Sequence, residues 1–364
     1  MFYEKELAAL KRSGRYRQRR IFDEGMIDLA SNDYLGLSYH KELMDKAYEC
    51  LSSYASHAPK ASMLVNGYHP LHADFEKALC EANDFEDGVI LGSGFNANIA
   101  LIESLLRKGD ELFMDEKYHA SGVMATRLVD AKVGYFRHND VGELEEMLKS
   151  STAKRKLIAV EGIYSMDADL LDREIIHLAD RYEALLILDE AHSSGVIGKN
   201  LMGILDHYEL PVRENYIKMG TLGKAYGSFG AYILASKHII EYLVNRAKPI
   251  IYATAPSLFD TALGHVSLDY IQENSKSLSA KIRRYQEIVN DLLGLKIDGL
   301  IVPVKVGNNT KVMQIQAELM EKNYLVGAIR QPTVESAIIR LIARIGVEEE
   351  DLFKVCNLIN SKIS

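Results

Sequence analysis

Between Asp87 and Ala235, short apolar runs ending near Gly, Asp or His alternate with longer stretches of helical periodicity, a rhythm that points to an α/β sheet. The runs Gly88–Leu91, Glu111–Met114, Val133–Phe136, Leu157–Val160, Leu185–Leu188 and Ala231–Leu234 are expected strands. Between them, Asn96–Leu106 and Arg173–Tyr182 space apolar residues by three and four, as helices laid on a sheet do. Past Pro256 the texture changes to one long helix-like stretch, Ser257 through Leu293. Strand candidates at Leu300–Val304 and Ile338–Ile342 then flank a helix-like Thr310–Lys322, a small α+β unit.

A chain of 364 residues exceeds one small core. The expected division is an N-terminal arm (1–34), a large domain with a mostly parallel central sheet flanked by helices (35–256) and a smaller C-terminal α+β domain (257–364). With 48% hydrophobic and 26% charged residues, extensive disorder is excluded. A formal charge of -8 argues against a nucleic-acid or anionic-membrane surface as the main partner. No apolar run is long enough to span a bilayer and the first residues lack a secretion signal, so a cytoplasmic location is expected. Cys50, Cys80 and Cys356 are odd in number and far apart, suggesting reduced packing residues and no metal site. The basic run Lys11–Arg20 reads as a solvated helix face or an arm on a partner subunit.

Ligands of open α/β sheets gather where strands end, and four such places carry chemistry. The turn Gly92-Ser93-Gly94-Phe95-Asn96-Ala97 opens a helix and offers amides to a phosphate, but it fits a plain tight connection and a dinucleotide turn as well. Leu188-Asp189-Glu190-Ala191-His192 resembles an ATPase motif. It lacks the upstream Gly-x-x-x-x-Gly-Lys-Ser/Thr loop that such an enzyme needs. Asp189 as a mere turn cap leaves His192 unexplained. Lys224, in Thr221-Leu222-Gly223-Lys224-Ala225-Tyr226-Gly227, is either one more surface lysine or an amine held where its pKa falls. His119, in Tyr118-His119-Ala120-Ser121, alone reads more often as structural than catalytic. Together, the lysine, acid, histidine and Gly turn meet the needs of pyridoxal 5'-phosphate (PLP).

These residues resemble the α-oxoamine synthases, PLP enzymes of fold type I that condense an amino acid with an acyl thioester and release carbon dioxide. The likeness runs through Ala30–Ser38, Ser93–Asn98, His119–Ser121, Phe136–Asp140, Glu161–Asp167, Asp189–His192 and Thr221–Lys224. Ala328-Ile329-Arg330-Gln331-Pro332-Thr333-Val334 resembles the branch that joins L-alanine to a pimeloyl thioester in the biotin pathway. The resemblance implies Lys224 as the Schiff-base lysine, Asp189 as partner of the pyridinium nitrogen and His119 as the ring-stacking residue. It implies Ser165 and His192 near the phenolic oxygen, and Gly94, Phe95 and Thr221 around the phosphate and ring edge. Arg340 would grip the amino-acid carboxylate beside Asn32, and Arg17 would reach the acidic end of the acyl group. Pimeloyl-CoA and a pimeloyl-carrier protein both fit as donor. The resemblance also implies a homodimer, with Ile251-Tyr252-Ala253-Thr254 near the two-fold.

Two stretches depart from the family pattern. Lys60-Ala61-Ser62-Met63-Leu64 stands where a Gly-Ser-Arg-Leu sequence is usual, so Met63 replaces an arginine. Leu341-Ile342-Ala343-Arg344-Ile345 lacks the usual hydroxyl and histidine residues. The competing expectations are a sister activity joining glycine to acetyl-CoA, told apart by rates with the two substrate pairs, and a fold type I aminotransferase, which releases no carbon dioxide. A nicotinamide oxidoreductase would rest on the Gly92 turn alone, and a scaffold would leave Asp189, His192 and Lys224 idle. Both of these predict a colourless protein.

Overall fold

Each apolar run between Asp87 and Ala235 is a strand of one seven-stranded sheet. The computed structural model describes residues 2–13 and 15–363. The strands followed there are β1 (Ile27–Asp28), β2 (Asp87–Leu91), β3 (Glu111–Asp115), β4 (Lys132–Phe136), β5 (Lys156–Glu161), β6 (Leu185–Asp189), β7 (Tyr216–Thr221), β8 (Ala231–Ala235), β9 (Ile301–Gly307), β10 (Tyr324–Leu325), β11 (Gly327–Ile329) and β12 (Ala337–Ile342). The large sheet has the order β2-β8-β7-β6-β5-β3-β4. β4, β3, β5, β6 and β7 pair in parallel; β8 alone runs against its neighbours β7 and β2. The chain is thus α/β with a mostly parallel central sheet flanked by helices.

Strand parity decides what the site can use. Along β6, Leu186 and Leu188 enter one core and Ile187 the core on the opposite face, because successive side chains alternate. β5 does the same, with Ile158 and Val160 on one side and Leu157 and Ala159 on the other. A strand buried on both faces needs an unbroken apolar run, which is why these segments read so clearly. Truncating a residue such as Leu188 to alanine would cost about 2–5 kcal/mol through lost burial and a cavity. Continuing the alternation, Glu161, Asp189 and Thr221 at the carboxyl ends of β5, β6 and β7 face the helix Gly94–Leu105.

β7 was absent from the sequence expectation. Its Lys218 and Gly220 interrupt the apolar run, yet Lys218 is buried, with Nζ donating to Asn83 Oδ1 at 2.7 Å and to the Met202 carbonyl. The single helix expected over Ser257–Leu293 is two, Leu258–Glu273 and Ser275–Leu293, separated at Asn274. The first packs on helices Lys41–Ser52 and Pro70–Asn83, the second on Glu349–Ile363. β11, β12 and β9 form an antiparallel sheet, while β1 pairs in parallel with β10 and so joins the N-terminal segment to the C-terminal region. Among the described residues of the basic run, only Lys11 and Arg12 are helical. Residues 15–22 are exposed and without regular structure. Cys80 and Cys356 are buried as expected, whereas Cys50 is exposed. No described helix is long and apolar enough to cross a membrane.

Candidate active site

The carboxyl ends of β2, β3, β5, β6 and β7 lie along one edge of the sheet, and each is followed by a residue singled out from sequence. After β2, Ser93 caps the helix Gly94–Leu105 by accepting from the Asn96 amide at 3.2 Å. The first amides of that helix, Gly94 and Phe95, have no carbonyl one turn behind them to bond, and the helix dipole adds positive character. A Cβ on Gly94 would sit 3.8 Å from Cβ of Thr221, which places this helix start against the end of β7. Thr221 Oγ1 donates to the Gly230 carbonyl at 3.0 Å.

After β6, both oxygens of Asp189 are held: Oδ2 accepts from Asn98 Nδ2 at 2.9 Å and Oδ1 from the Ala191 amide at 3.1 Å. Asn98 lies on the buried face of the same helix, next to Ala97 and Leu101. Its Nδ2 also reaches Ser121 Oγ at 2.9 Å, and its Oδ1 accepts from the Tyr118 hydroxyl at 2.7 Å. Since Ser121 Oγ accepts from Asn98, its own hydrogen goes to His119 Nδ1, 2.7 Å away. The Ser121 amide donates to the same nitrogen at 3.3 Å, so the network assigns the proton of neutral His119 to Nε2. Burial lowers the pKa of His119, favouring that neutral form.

Lys224 follows β7, and its Nζ lies 2.8 Å from His192 Nε2. Burial, aided by the charge of Arg340, lowers the amine to about 8, against the pull of Asp189 and Glu161. His192 is held well below the usual histidine range by burial, then by Lys224 and Arg340, so it is neutral at pH 7. Its Nδ1 lies 2.5 Å from the Tyr34 hydroxyl. With Lys224 as an ammonium donating to Nε2, the imidazole proton sits on Nδ1 and goes to Tyr34. The Tyr34 hydroxyl then donates to Asn32 Oδ1 at 3.3 Å, which also accepts from Arg340 NH1 at 3.0 Å. Arg340, buried on β12, donates its Nε–H to the Ser165 carbonyl at 2.9 Å.

The structure therefore brings Asn32, Ser165, Asp189, His192, Lys224 and Arg340 into one region and hangs His119 on Asp189 through Asn98 and Ser121. Arg17 is not among them. It stands on the exposed stretch before β1 and shares no described hydrogen bond with the pocket. Sequence reasoning assigned no role to Tyr34, Asn98, Ser121 or Glu161. A polar side chain one turn into an otherwise apolar helix face was the signal for Asn98. Glu161, in register with Asp189 on the neighbouring strand, is buried, and its Oε1 has no partner among the described residues. Burial and then the Asp189 charge raise its pKa well above the carboxylate range, which favours its protonated form.

The donor set fits PLP: a buried amine of lowered pKa, a carboxylate anchored at both oxygens, a neutral histidine and a capped helix start with free amides. The described residues contain no cluster suited to a metal.

Residues 24–359 match the family described as Aminotransferase class I and II. Among curated relatives, the 8-amino-7-oxononanoate synthase of Helicobacter pylori strain J99 is 43% identical over 357 residues, which is 98% of this chain and 96% of that protein. That of Saccharophagus degradans is 32% identical, covering 97% and 94%. Among solved structures, an 8-amino-7-oxononanoate synthase from Francisella tularensis superposes with a TM-score of 0.79 at 25% identity, covering 94% of this chain and 98% of that one. A serine palmitoyltransferase from Sphingomonas wittichii gives 0.90 at 21% identity, covering 100% and 98%, a likeness of fold. Another serine palmitoyltransferase, with PLP bound, gives 0.88 at 21%, covering 99% and 97%.

Proposed function

The chain belongs to the class I and II aminotransferase family, alongside its 8-amino-7-oxononanoate synthases, and from that premise we propose that the residues around Lys224 join L-alanine to a pimeloyl thioester. The enzyme is a PLP-dependent acyltransferase of biotin synthesis. When bound, PLP supplies an electron sink for the charge left at the α-carbon of the amino acid.

In this reading Lys224 would hold the cofactor covalently, Asp189 would pair with its ring nitrogen and His119 would cover the ring. Ser165 and His192 would serve its phenolic oxygen, and Thr221 with the Gly94 and Phe95 amides would receive its phosphate. Asp189, anchored at both oxygens, would face the ring nitrogen, and the raised pKa of Glu161 beside it disfavours a second negative charge there. Arg340 gives one N–H to Ser165 and one to Asn32, and the rest of its guanidinium fork would meet the carboxylate of alanine. Lys224 Nζ, once free and uncharged, is the base positioned to take the α-proton, and its value near 8 suits proton exchange at neutral pH. The carbon–carbon bond forms at the thioester carbonyl as the thiol leaves. Loss of the original carboxylate as carbon dioxide follows, and Lys224 can return the proton.

Lys224, lowered by burial to about 8 and pointing at His192 rather than at a carboxylate, is the observation that carries this reading. Coenzyme A and a carrier protein both stay open as the thiol, Arg17 is the residue proposed to meet the acyl group's acidic end, and the working unit is proposed to be a homodimer. The test compares alanine plus pimeloyl-CoA, alanine plus a pimeloyl-carrier protein, and glycine plus acetyl-CoA, following carbon dioxide and thiol release. Faster turnover of either alanine pair supports the proposal, and preference for glycine plus acetyl-CoA overturns it.

A further inference from the structure

His138 lies outside the set just described, on the turn after β4, yet it touches both loops that frame that set. Its Nδ1 lies 3.1 Å from Asp115 Oδ1, at the end of β3, and its Nε2 lies 2.7 Å from Asp169 Oδ2, in the loop after β5. Asp115 is fully buried and accepts two amides, Lys117 at 2.8 Å and Asn139 at 3.0 Å. Four residues beyond Asp115 the chain reaches His119. The Asp169 carbonyl accepts from the Tyr164 amide at 3.1 Å, closing the turn that presents Ser165. The Tyr164 ring meets His138 edge-on at 4.3 Å. Lys117, from the first loop, pairs with Asp167 in the second at 2.9 Å, and Glu116 accepts from the His138 amide at 3.1 Å.

An imidazole can satisfy two carboxylates at once only when both nitrogens carry hydrogen. Burial lowers the pKa of His138, but hydrogen bonds and charge from Asp115 and Asp169 outweigh it and push the group up to about 9. The bridge therefore stands as an imidazolium at neutral pH. Asn139, in the left-handed region at φ 53°, gives its Nδ2 to Asp169 at 3.1 Å and closes the same clasp. Three strand ends are thereby tied across the sheet edge by groups that take no part in the chemistry.

We propose that His138, bridging Asp115 and Asp169, is a positioning residue that fixes the loop carrying His119 relative to the loop carrying Ser165, and so sets the gap that receives the cofactor ring. This rests on the cofactor placement proposed above. The bridge acts through its two acids, so the effect of His138 depends on Asp169 being charged. Without it, His119 and Ser165 keep their own hydrogen bonds but lose their mutual spacing.

The test uses the full chain and three variants, His138→Ala, Asp169→Asn and the double substitution, titrated with PLP and read by visible circular dichroism per bound cofactor. The expected result is at least tenfold weaker PLP binding for His138→Ala and at least threefold for Asp169→Asn, with the visible band reduced in both. The double variant should bind within twofold of His138→Ala. Binding within twofold of the native chain with an unchanged band overturns the proposal, as do additive losses, because a merely structural residue would lower unfolding midpoints without altering the bound cofactor's asymmetry. If His138→Ala does not fold, Asp169→Asn decides alone by the same two readouts. Failure of the native chain itself to bind PLP would instead defeat the cofactor placement.

Discussion

Tyr34 and His192, 158 residues apart in sequence, meet at 2.5 Å through the phenol oxygen and Nδ1. A hydroxyl can either donate to that nitrogen or accept from it, so Tyr34 serves whichever tautomer His192 adopts as Lys224 changes charge. Through Asn32 the same hydroxyl is two hydrogen bonds from Arg340, linking the proposed carboxylate site to the proposed base.

Tyr34→Phe keeps the ring packing and leaves His192 Nδ1 without a partner. The expected loss in kcat/KM for alanine is about tenfold, the scale of one buried hydrogen bond. Steady-state rates over pH 6–9 check this, and an unchanged kcat/KM would show that Tyr34 only fills space.

Arg340→Lys retains a charge and loses the fork that serves Ser165, Asn32 and a carboxylate together. KM for alanine should rise by roughly 10- to 100-fold, with a smaller change for the thioester. Initial rates at varied alanine measure it. Equal effects on both substrates would place Arg340 outside the amino-acid site.

Much of the site was legible because its strands are buried on both faces and its polar residues stand just past their ends. Asp189, His192 and Lys224 announced themselves as polar residues after apolar runs. What could not be read was the support: Asn98 and Ser121 act only through neighbours brought from other strands, and Tyr34 meets His192 from 158 residues away in the chain. β7 stayed hidden because Lys218, buried and hydrogen-bonded to Asn83 and the Met202 carbonyl, looks like a solvent-facing residue in a linear reading. The helix break at Asn274 was equally silent, since both flanking segments keep helical spacing.

Glu76, away from the site, gives a pH signature. Burial raises its carboxyl to about 7, although Tyr68 and the Ile90 amide donate to it at 2.5 Å and 2.9 Å. Between about pH 4.5 and 7 the folded chain keeps a proton the unfolded chain has released, so stability falls as pH rises through that window and levels off above it. Glu76→Gln removes this slope and should be more stable than the native chain at pH 8, by up to about 3 kcal/mol. Urea unfolding at pH 4.5 and 8 tests it; equal midpoints at both values would contradict the burial argument.

Borohydride reduction of the PLP-loaded chain, followed by peptide mass mapping, interrogates the attachment of the cofactor itself. The account predicts a single pyridoxyl adduct on Lys224, and none on Lys218, whose amine is already bonded within the fold. An adduct on another lysine, or none on a chain that has visibly bound PLP, would contradict it.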